Sequence, residues 1–135
     1  MTMDSKEKKL LVAILILSLG LRAAAALYTG NQVVELPGTA DQLSYHNLAL
    51  RILGGHGFTF GQDWWPATRA GEPTAHWSYL YTGFLVLVYS LFGPNPLVAR
   101  LIQALLTGLL HPWLAYLIGR CTFGPTVGLV SAGLT

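Results

Sequence analysis

The stretch Leu10-Leu-Val-Ala-Ile-Leu-Ile-Leu-Ser-Leu-Gly-Leu-Arg-Ala-Ala-Ala-Ala-Leu-Tyr28 decides the fold of this chain of 135 residues. It is an apolar run of about 19 residues, close to the roughly 20 that an α-helix needs to cross hydrocarbon. Lys6, Lys8 and Lys9 precede it, and positive charge stays on the cytoplasmic side of a membrane helix. The pattern predicts a transmembrane helix over residues 10–28 with a cytoplasmic amino terminus. A cleaved secretory signal peptide is the alternative that this run leaves open.

The composition agrees with a membrane protein. Hydrophobic residues make up 53% of the chain and charged residues only 10%, whereas soluble domains carry about 25% charged residues. The net charge of +2 is small, and no stripe of lysine or arginine follows the amino-terminal cluster, so we expect no nucleic-acid partner. The single cysteine, Cys121, excludes an internal disulfide. We therefore expect an all-α integral protein of the inner (cytoplasmic) membrane of the cell, surrounded by membrane lipids.

Three further apolar segments follow. The stretch 79–92 has about 14 residues, too few to cross, and is typical of a helix that lies at the membrane surface. Residues 97–119 are long enough for a second span, which returns Arg120 to the cytoplasmic side, where positive charge belongs. A third apolar segment, 124–135, has about 12 residues, and we expect it to be a membrane helix cut short. Residues 29–96 then form an extracytoplasmic loop, with interfacial helices at about 40–54 and 77–92.

The first of these loop helices has a start signal, an apolar face and an end signal. Thr39 followed three residues later by Gln42 fits a capping box, and Gly54 with Gly55 closes the helix. The apolar positions recur at helical spacing, at Tyr45, Leu48, Ala49, Ile52 and Leu53. A helix of this kind lies flat on a membrane.

Two stretches resemble a known family. They are Asp41-Gln-Leu-Ser-Tyr-His-Asn-Leu-Ala-Leu-Arg-Ile-Leu-Gly-Gly-His-Gly-Phe58 and Leu91-Phe-Gly-Pro-Asn-Pro-Leu-Val-Ala-Arg-Leu-Ile-Gln103, and they follow an amino-terminal span. This order resembles the GT-C superfamily of membrane glycosyltransferases, especially the protein O-mannosyltransferase and aminoarabinose transferase branch. The resemblance covers the amino-terminal part of a family member. The family's usual Asp-Glu pair is Asp41-Gln42 here, and its basic residue before Pro-Pro-Leu-Tyr is matched by His76.

The resemblance implies transfer of a sugar from a polyprenyl-phosphate donor to an extracytoplasmic acceptor. It makes Asp41 the candidate catalytic base or metal ligand and places His76 at the family's basic position. Because a departing phosphate needs cations, Arg22, Arg51 and His76 are the candidate substrate-binding residues that contact the donor phosphate. Such chemistry needs a carboxylate at the acceptor and cations at the leaving phosphate. A divalent metal as cofactor stays open, although the histidines show no metal-ligand spacing. A structural interpretation stands beside these roles, because an acid is favoured at a helix start and Arg22 can snorkel.

A polar stripe marks the second span. Its members recur three or four residues apart, at Arg100, Gln103, Thr107 and His111. Such a stripe faces other helices or a substrate groove. Two functions remain open: the amino-terminal part of a glycosyltransferase, whose 135 residues alone are too short to enclose a donor site, or a small non-catalytic membrane subunit that docks with other membrane protein subunits.

Overall fold

The computed structural model describes residues 3–35, 37–64 and 66–135, which are helical throughout apart from connecting loops. Helices make up 68% of it, and the described residues form no β-strand. The helices are α1 (Ser5–Thr29), α2 (Asp41–Leu53), α3 (Tyr79–Phe92), α4 (Pro96–Phe123) and α5 (Pro125–Gly133). The prediction of an all-α fold is confirmed.

Two of these helices, α1 with 25 residues and α4 with 28, are long and apolar enough to cross a membrane. This confirms the prediction of two long apolar helices. Helix α1 begins five residues before its apolar run, because the Asp4 carboxylate accepts a hydrogen bond from the Glu7 backbone N–H at 2.7 Å. Such a cap satisfies one of the amide groups that a helix start leaves without a partner.

The chain divides into two compact units. The long-helix unit consists of Met1–Thr29 and Arg100–Thr135, and it contains α1, most of α4, and α5. The loop unit is Gly30–Ala99, and it contains α2 and α3.

Within the long-helix unit, α1 and α4 run antiparallel. Glu7 bonds to Arg120, and twelve residues further along α1 the backbone of Leu19 meets Gly108, which lies twelve residues back along α4. A Cβ atom on Gly108 would lie only 2.9 Å from the Leu19 Cα, so glycine is needed for this approach. Between α4 and α5 the chain turns at Gly124, whose φ of +98° favours glycine.

The loop unit is built on the packing of α2 against α3. Leu48, Phe60 and Trp77 form its buried core, and the His46 ring nitrogen Nδ1 lies 2.9 Å from the Tyr89 hydroxyl, which joins the two helices. The segment after α2 folds back on itself through a bridge between Thr59 and Pro73. This return places Phe60 beside Trp77, with ring centroids 4.6 Å apart.

The predicted capping box of α2 is wrong. The cap residue is Ala40, and no side chain caps the helix. Thr39 lies one residue too early, and Gln42 donates to the Val34 carbonyl oxygen at 2.7 Å instead of reaching back to a cap. The predicted end is confirmed, since the helix finishes at Leu53 and Gly55 takes a φ of +77°.

Candidate functional site

Asp41 is the first residue of α2, and its side chain is exposed. Its backbone N–H lies 3.4 Å from the Thr39 hydroxyl oxygen, while its carboxylate accepts no hydrogen bond from any residue that the structure describes. The positive end of the helix dipole favours a negative charge at this place. The structure therefore presents an accessible carboxylate with free acceptor positions, as a general base needs.

Arg51 lies in the last turn of the same helix. Ten residues separate it from Asp41, which corresponds to about 15 Å along the helix axis. Its Nη2 donates to the Thr59 hydroxyl at 3.0 Å, and that hydroxyl donates in turn to the His56 carbonyl oxygen at 2.9 Å. The Arg51 Nε is buried and has no hydrogen-bond partner within the described residues. A buried donor without a partner is costly.

A cleft of about 530 Å³ opens beside Arg51. Its lining residues are Asn47, Leu50, Arg51, Gly54, His56, Phe60, Gly61 and Gln62. None of these described residues is acidic, and two of them carry side-chain amides that can donate. A Cβ atom on Gly61 would lie 3.4 Å from the Arg51 Nη1, so glycine leaves the guanidinium its room. The cleft therefore has the chemistry of an anion site.

His76 is exposed and lies outside the residues that line this cleft. Its ring meets the Trp77 ring edge to face, with centroids 4.7 Å apart, and its backbone N–H lies 3.4 Å from the Thr74 hydroxyl oxygen. The structure thus gives His76 a packing contact and does not place it beside Arg51 in the cleft.

Arg22 belongs to the long-helix unit, whereas the other three candidates belong to the loop unit. Its Nη1 donates to the Ser18 hydroxyl at 2.5 Å, and its Nη2 donates to the Thr135 carbonyl oxygen at 2.5 Å. It lines a second cleft, of about 310 Å³, together with Arg100 and Thr107. Of the predicted polar stripe of α4, Arg100 and Thr107 therefore face this cleft, while His111 is exposed.

A charged group that the sequence analysis missed joins α1 to α4. The Glu7 Oε1 accepts from the Tyr116 hydroxyl at 2.5 Å and from the Arg120 Nε at 2.6 Å. The sequence contains a signal for this contact. An acid before the first span and an arginine after the second span lie at the same end when the two helices are antiparallel. The Arg51 contact with Thr59 was also missed, because the stretch after Gly55 reads only as a turn.

No group of three histidine, cysteine, aspartate or glutamate residues that could hold a metal ion occurs in residues 3–35, 37–64 and 66–135. Comparison with known proteins yields no relative: no protein-family model matches the sequence, and neither a curated protein nor a solved structure matches it.

Proposed function

We propose that this chain forms the amino-terminal membrane part of a glycosyltransferase that moves a sugar from a polyprenyl-phosphate donor to an extracytoplasmic acceptor. Asp41 carries the proposal, because it is an exposed carboxylate to which no described residue bonds. It lies at the start of α2, a helix that stands in the sequence between two helices of spanning length. The resemblance to GT-C enzymes supports the same residue. The inner membrane is the proposed location, with the amino terminus in the cytoplasm and the loop unit outside.

In the proposed reaction the Asp41 carboxylate accepts the proton of the acceptor hydroxyl. The acceptor oxygen forms a bond to the anomeric carbon of the sugar while the bond from that carbon to the donor phosphate oxygen breaks. The bonding electrons leave with the phosphate, so the products are the glycosylated acceptor and polyprenyl phosphate. A carboxylate in this role contributes about 10²–10⁴-fold to the rate.

Arg51 is the proposed partner of the departing phosphate. Charge develops on the phosphate oxygen as the bond to the sugar breaks, and a planar guanidinium can bond two phosphate oxygens at once. The amide side chains of Asn47 and Gln62 supply further donors in the same cleft. About 15 Å of helix separates Asp41 from Arg51, whereas the acceptor hydroxyl and the departing phosphate are attached to one carbon in the transition state. The proposal therefore requires the two side chains to come closer together around the reacting bond than they lie in this structure.

The test is the exchange of Asp41→Asn in the natural protein, assayed by transfer of radiolabelled sugar in membranes that contain it. We expect a loss of at least about a hundredfold in kcat, with normal amounts of protein in the membrane. Asp63→Asn is the matched control, because Asp63 is an exposed acid of the same unit whose Oδ1 accepts from the Ala70 N–H, a bond that asparagine can keep. Full transfer by the Asp41 variant would remove the proposal.

One observation also fits a second function, that of a non-catalytic subunit in a larger membrane complex. His111 is exposed near the middle of α4, and an ionisable side chain is costly in lipid unless it faces protein or water. A partner helix over this position would remove the cost. That helix belongs to another polypeptide if the chain is a subunit, and to the same polypeptide if it is part of an enzyme.

A photoreactive amino acid in place of His111 separates the two functions. Irradiation of intact membranes should give a product of unchanged mass for an enzyme whose own helices cover the position. A product larger than the chain itself, formed with a second polypeptide, would support the subunit. The same probe in place of Leu106, which is exposed and lies five residues earlier on another side of α4, serves as the control for a lipid-facing position.

A further inference from the structure

The two sides of helix α3 are covered differently. Thr82, Leu85 and Tyr89 are buried, and the Tyr89 hydroxyl lies beside the His46 ring of α2. At 3.6 residues per turn, the opposite side of the helix consists of exposed residues spaced three or four apart, Leu80, Gly83, Leu87 and Leu91. The three leucines are 87%, 60% and 68% exposed. Because α3 is apolar all round, its sequence does not show which side is covered.

The exposed side of α3 offers a partner little besides apolar area. The Ser90 hydroxyl donates to the Leu87 carbonyl oxygen at 2.8 Å, and the Tyr79 hydroxyl donates to the Thr74 carbonyl oxygen at 3.1 Å. Residues 73–99 contain no aspartate, glutamate, lysine or arginine. Interfaces between proteins carry about one hydrogen bond per 100–200 Å². Acyl chains neither offer nor need hydrogen bonds, so this surface fits hydrocarbon better than a protein partner.

A shallow recess of about 580 Å³ lies on the same side of α3. Its lining residues are Tyr79, Leu80, Gly83, Phe84 and Leu87. A Cβ atom on Gly83 would meet nothing within 4 Å, so the recess is open at this glycine. The lining is apolar apart from the tyrosine hydroxyl, which is already bonded, and an acyl chain therefore fits it.

The connection to α4 keeps α3 close to a helix of spanning length. Three residues separate the end of α3 at Phe92 from the start of α4 at Pro96, and this length of chain reaches at most about 14 Å. The Asn31 Oδ1 accepts from the Leu97 N–H at 2.9 Å, so the chain that leaves α1 also lies beside the start of α4. Helix α3 itself is about 21 Å long, too short to cross about 30 Å of hydrocarbon.

Helix α2 is a poorer candidate for contact with lipid, although the sequence predicts that its apolar face lies on the membrane. Leu48 and Ala49, at the centre of that face, are fully buried within the loop unit. Protein therefore covers the centre of the apolar face of α2, whereas the outer side of α3 has no cover from the described residues.

We propose that the exposed side of α3 inserts among the acyl chains of one leaflet, with the helix parallel to the membrane surface, and that α2 lies one helix layer farther from the hydrocarbon. Packed helices lie about 8–10 Å apart, and the headgroup layer of a leaflet is about 5–8 Å thick. Helix α2 then lies at the level of the headgroups or at their aqueous edge. The proposal requires that α4 enters the bilayer, and it is independent of sugar transfer at Asp41.

The experiment measures which reagents reach α3 in the full chain, reconstituted in phosphatidylcholine vesicles. In a Cys121→Ser background, Leu80→Cys, Leu87→Cys and Leu91→Cys each carry one nitroxide spin label, and power-saturation electron paramagnetic resonance gives its collisions with oxygen and with a polar nickel chelate. Oxygen dissolves in hydrocarbon and the chelate does not. The matched control is Leu50→Cys, a leucine of α2 that is 37% exposed and lines the cleft beside Arg51.

We expect the ratio of oxygen to nickel collisions to be at least threefold higher at the three α3 positions than at the Leu50 position. An equal ratio would place the exposed side of α3 in water or α2 in lipid, and either result would overturn the proposal. Rare collisions with both reagents, as at the buried reference Val88→Cys, would show that protein covers α3 and would overturn it as well. If one labelled variant does not fold, the other two decide. No sugar transfer enters the measurement, so its result is separate from the role of Asp41.

Discussion

Glu7 and Arg120 illustrate how single residues hold this molecule together. Their side chains are 6% and 10% exposed, and the Glu7 carboxylate accepts from both Arg120 and Tyr116. A buried ion pair adds less stability than its Coulomb attraction suggests, because both groups lose water. Removal of one partner is a different matter, since it leaves the other charge buried without compensation. The pair therefore specifies which ends of α1 and α4 meet.

Glu7→Gln should lower the melting temperature of the detergent-purified protein more than Tyr116→Phe does. The first change removes the carboxylate charge that pairs with Arg120, while the second removes one hydrogen bond and keeps the ion pair. Differential scanning fluorimetry of both variants measures the order. Glu35→Gln makes the same chemical change at an exposed acid and serves as the control. A Tyr116→Phe variant that melts below Glu7→Gln would contradict this account.

At the scale of elements, the close approach of α1 and α4 depends on Gly108. A Cβ atom there would lie 2.9 Å from the Leu19 Cα and 3.3 Å from the Leu19 nitrogen, and backbone atoms of a helix cannot move aside cheaply. We expect Gly108→Val to separate the two helices and to lower the melting temperature in detergent. Gly20→Ala is the control on α1, because nothing lies within 4 Å of an added Cβ. An equal effect of the two changes would refute the close packing.

Leu48 of helix α2 is fully buried and packs with Phe60 and Trp77. Leu48→Ala should destabilise the loop unit by about 2–5 kcal/mol, the usual cost of such a cavity. Hydrogen exchange of the α2 and α3 amides in the full chain measures the loss of protection. Leu53→Ala, at a position 42% exposed, should change protection little. Similar exchange in both variants would argue against the proposed core.

The same elements show what the sequence can predict. The apolar run of α1 predicts a helix because length and hydropathy are local properties, but it misses the first turn, which depends on the Asp4 cap. The capping box of α2 was wrong because Thr39 and Gln42 have the right spacing while Ala40 occupies the cap position. A spacing pattern does not specify which residue leaves the helical conformation, and here the Gln42 side chain bonds the Val34 carbonyl oxygen instead of a cap.

At the scale of the whole molecule, long-range contacts are what the sequence could not provide. Glu7 and Arg120 are 113 positions apart, and their contact follows from tertiary packing. The contact of Arg51 with Thr59, which needs the chain to turn back after α2, follows from packing as well. Asp41 was named because its position resembles a family pattern, and Arg51 was named without any sign that its Nε is buried and has no partner within the described residues. Charge type is visible in a sequence, whereas the absence of a partner is a property of the fold.

The antiparallel pair of α1 and α4 has a consequence for orientation. Because Glu7 contacts Arg120, the amino terminus and Cys121 lie at the same end of the pair, and residues 30–99 connect the opposite ends. If both helices cross the membrane, Cys121 and the loop unit are on opposite sides of it. In the proposed orientation, with the lysines before α1 in the cytoplasm, Cys121 is cytoplasmic as well.

The single natural cysteine makes this orientation measurable. Cys121 is exposed and can therefore react with a maleimide. Because this orientation places it in the cytoplasm, a membrane-impermeant maleimide should leave it unlabelled in intact cells until the membrane is permeabilised. In a Cys121→Ser background, Ala70→Cys places a thiol at an exposed position of the loop unit and should be labelled without permeabilisation. Denatured samples of both proteins control for thiol reactivity. Labelling of both sites from one side would show that the helices do not each cross the bilayer. Labelling of Cys121 alone in intact cells would place the loop unit and Asp41 in the cytoplasm, away from any extracytoplasmic acceptor.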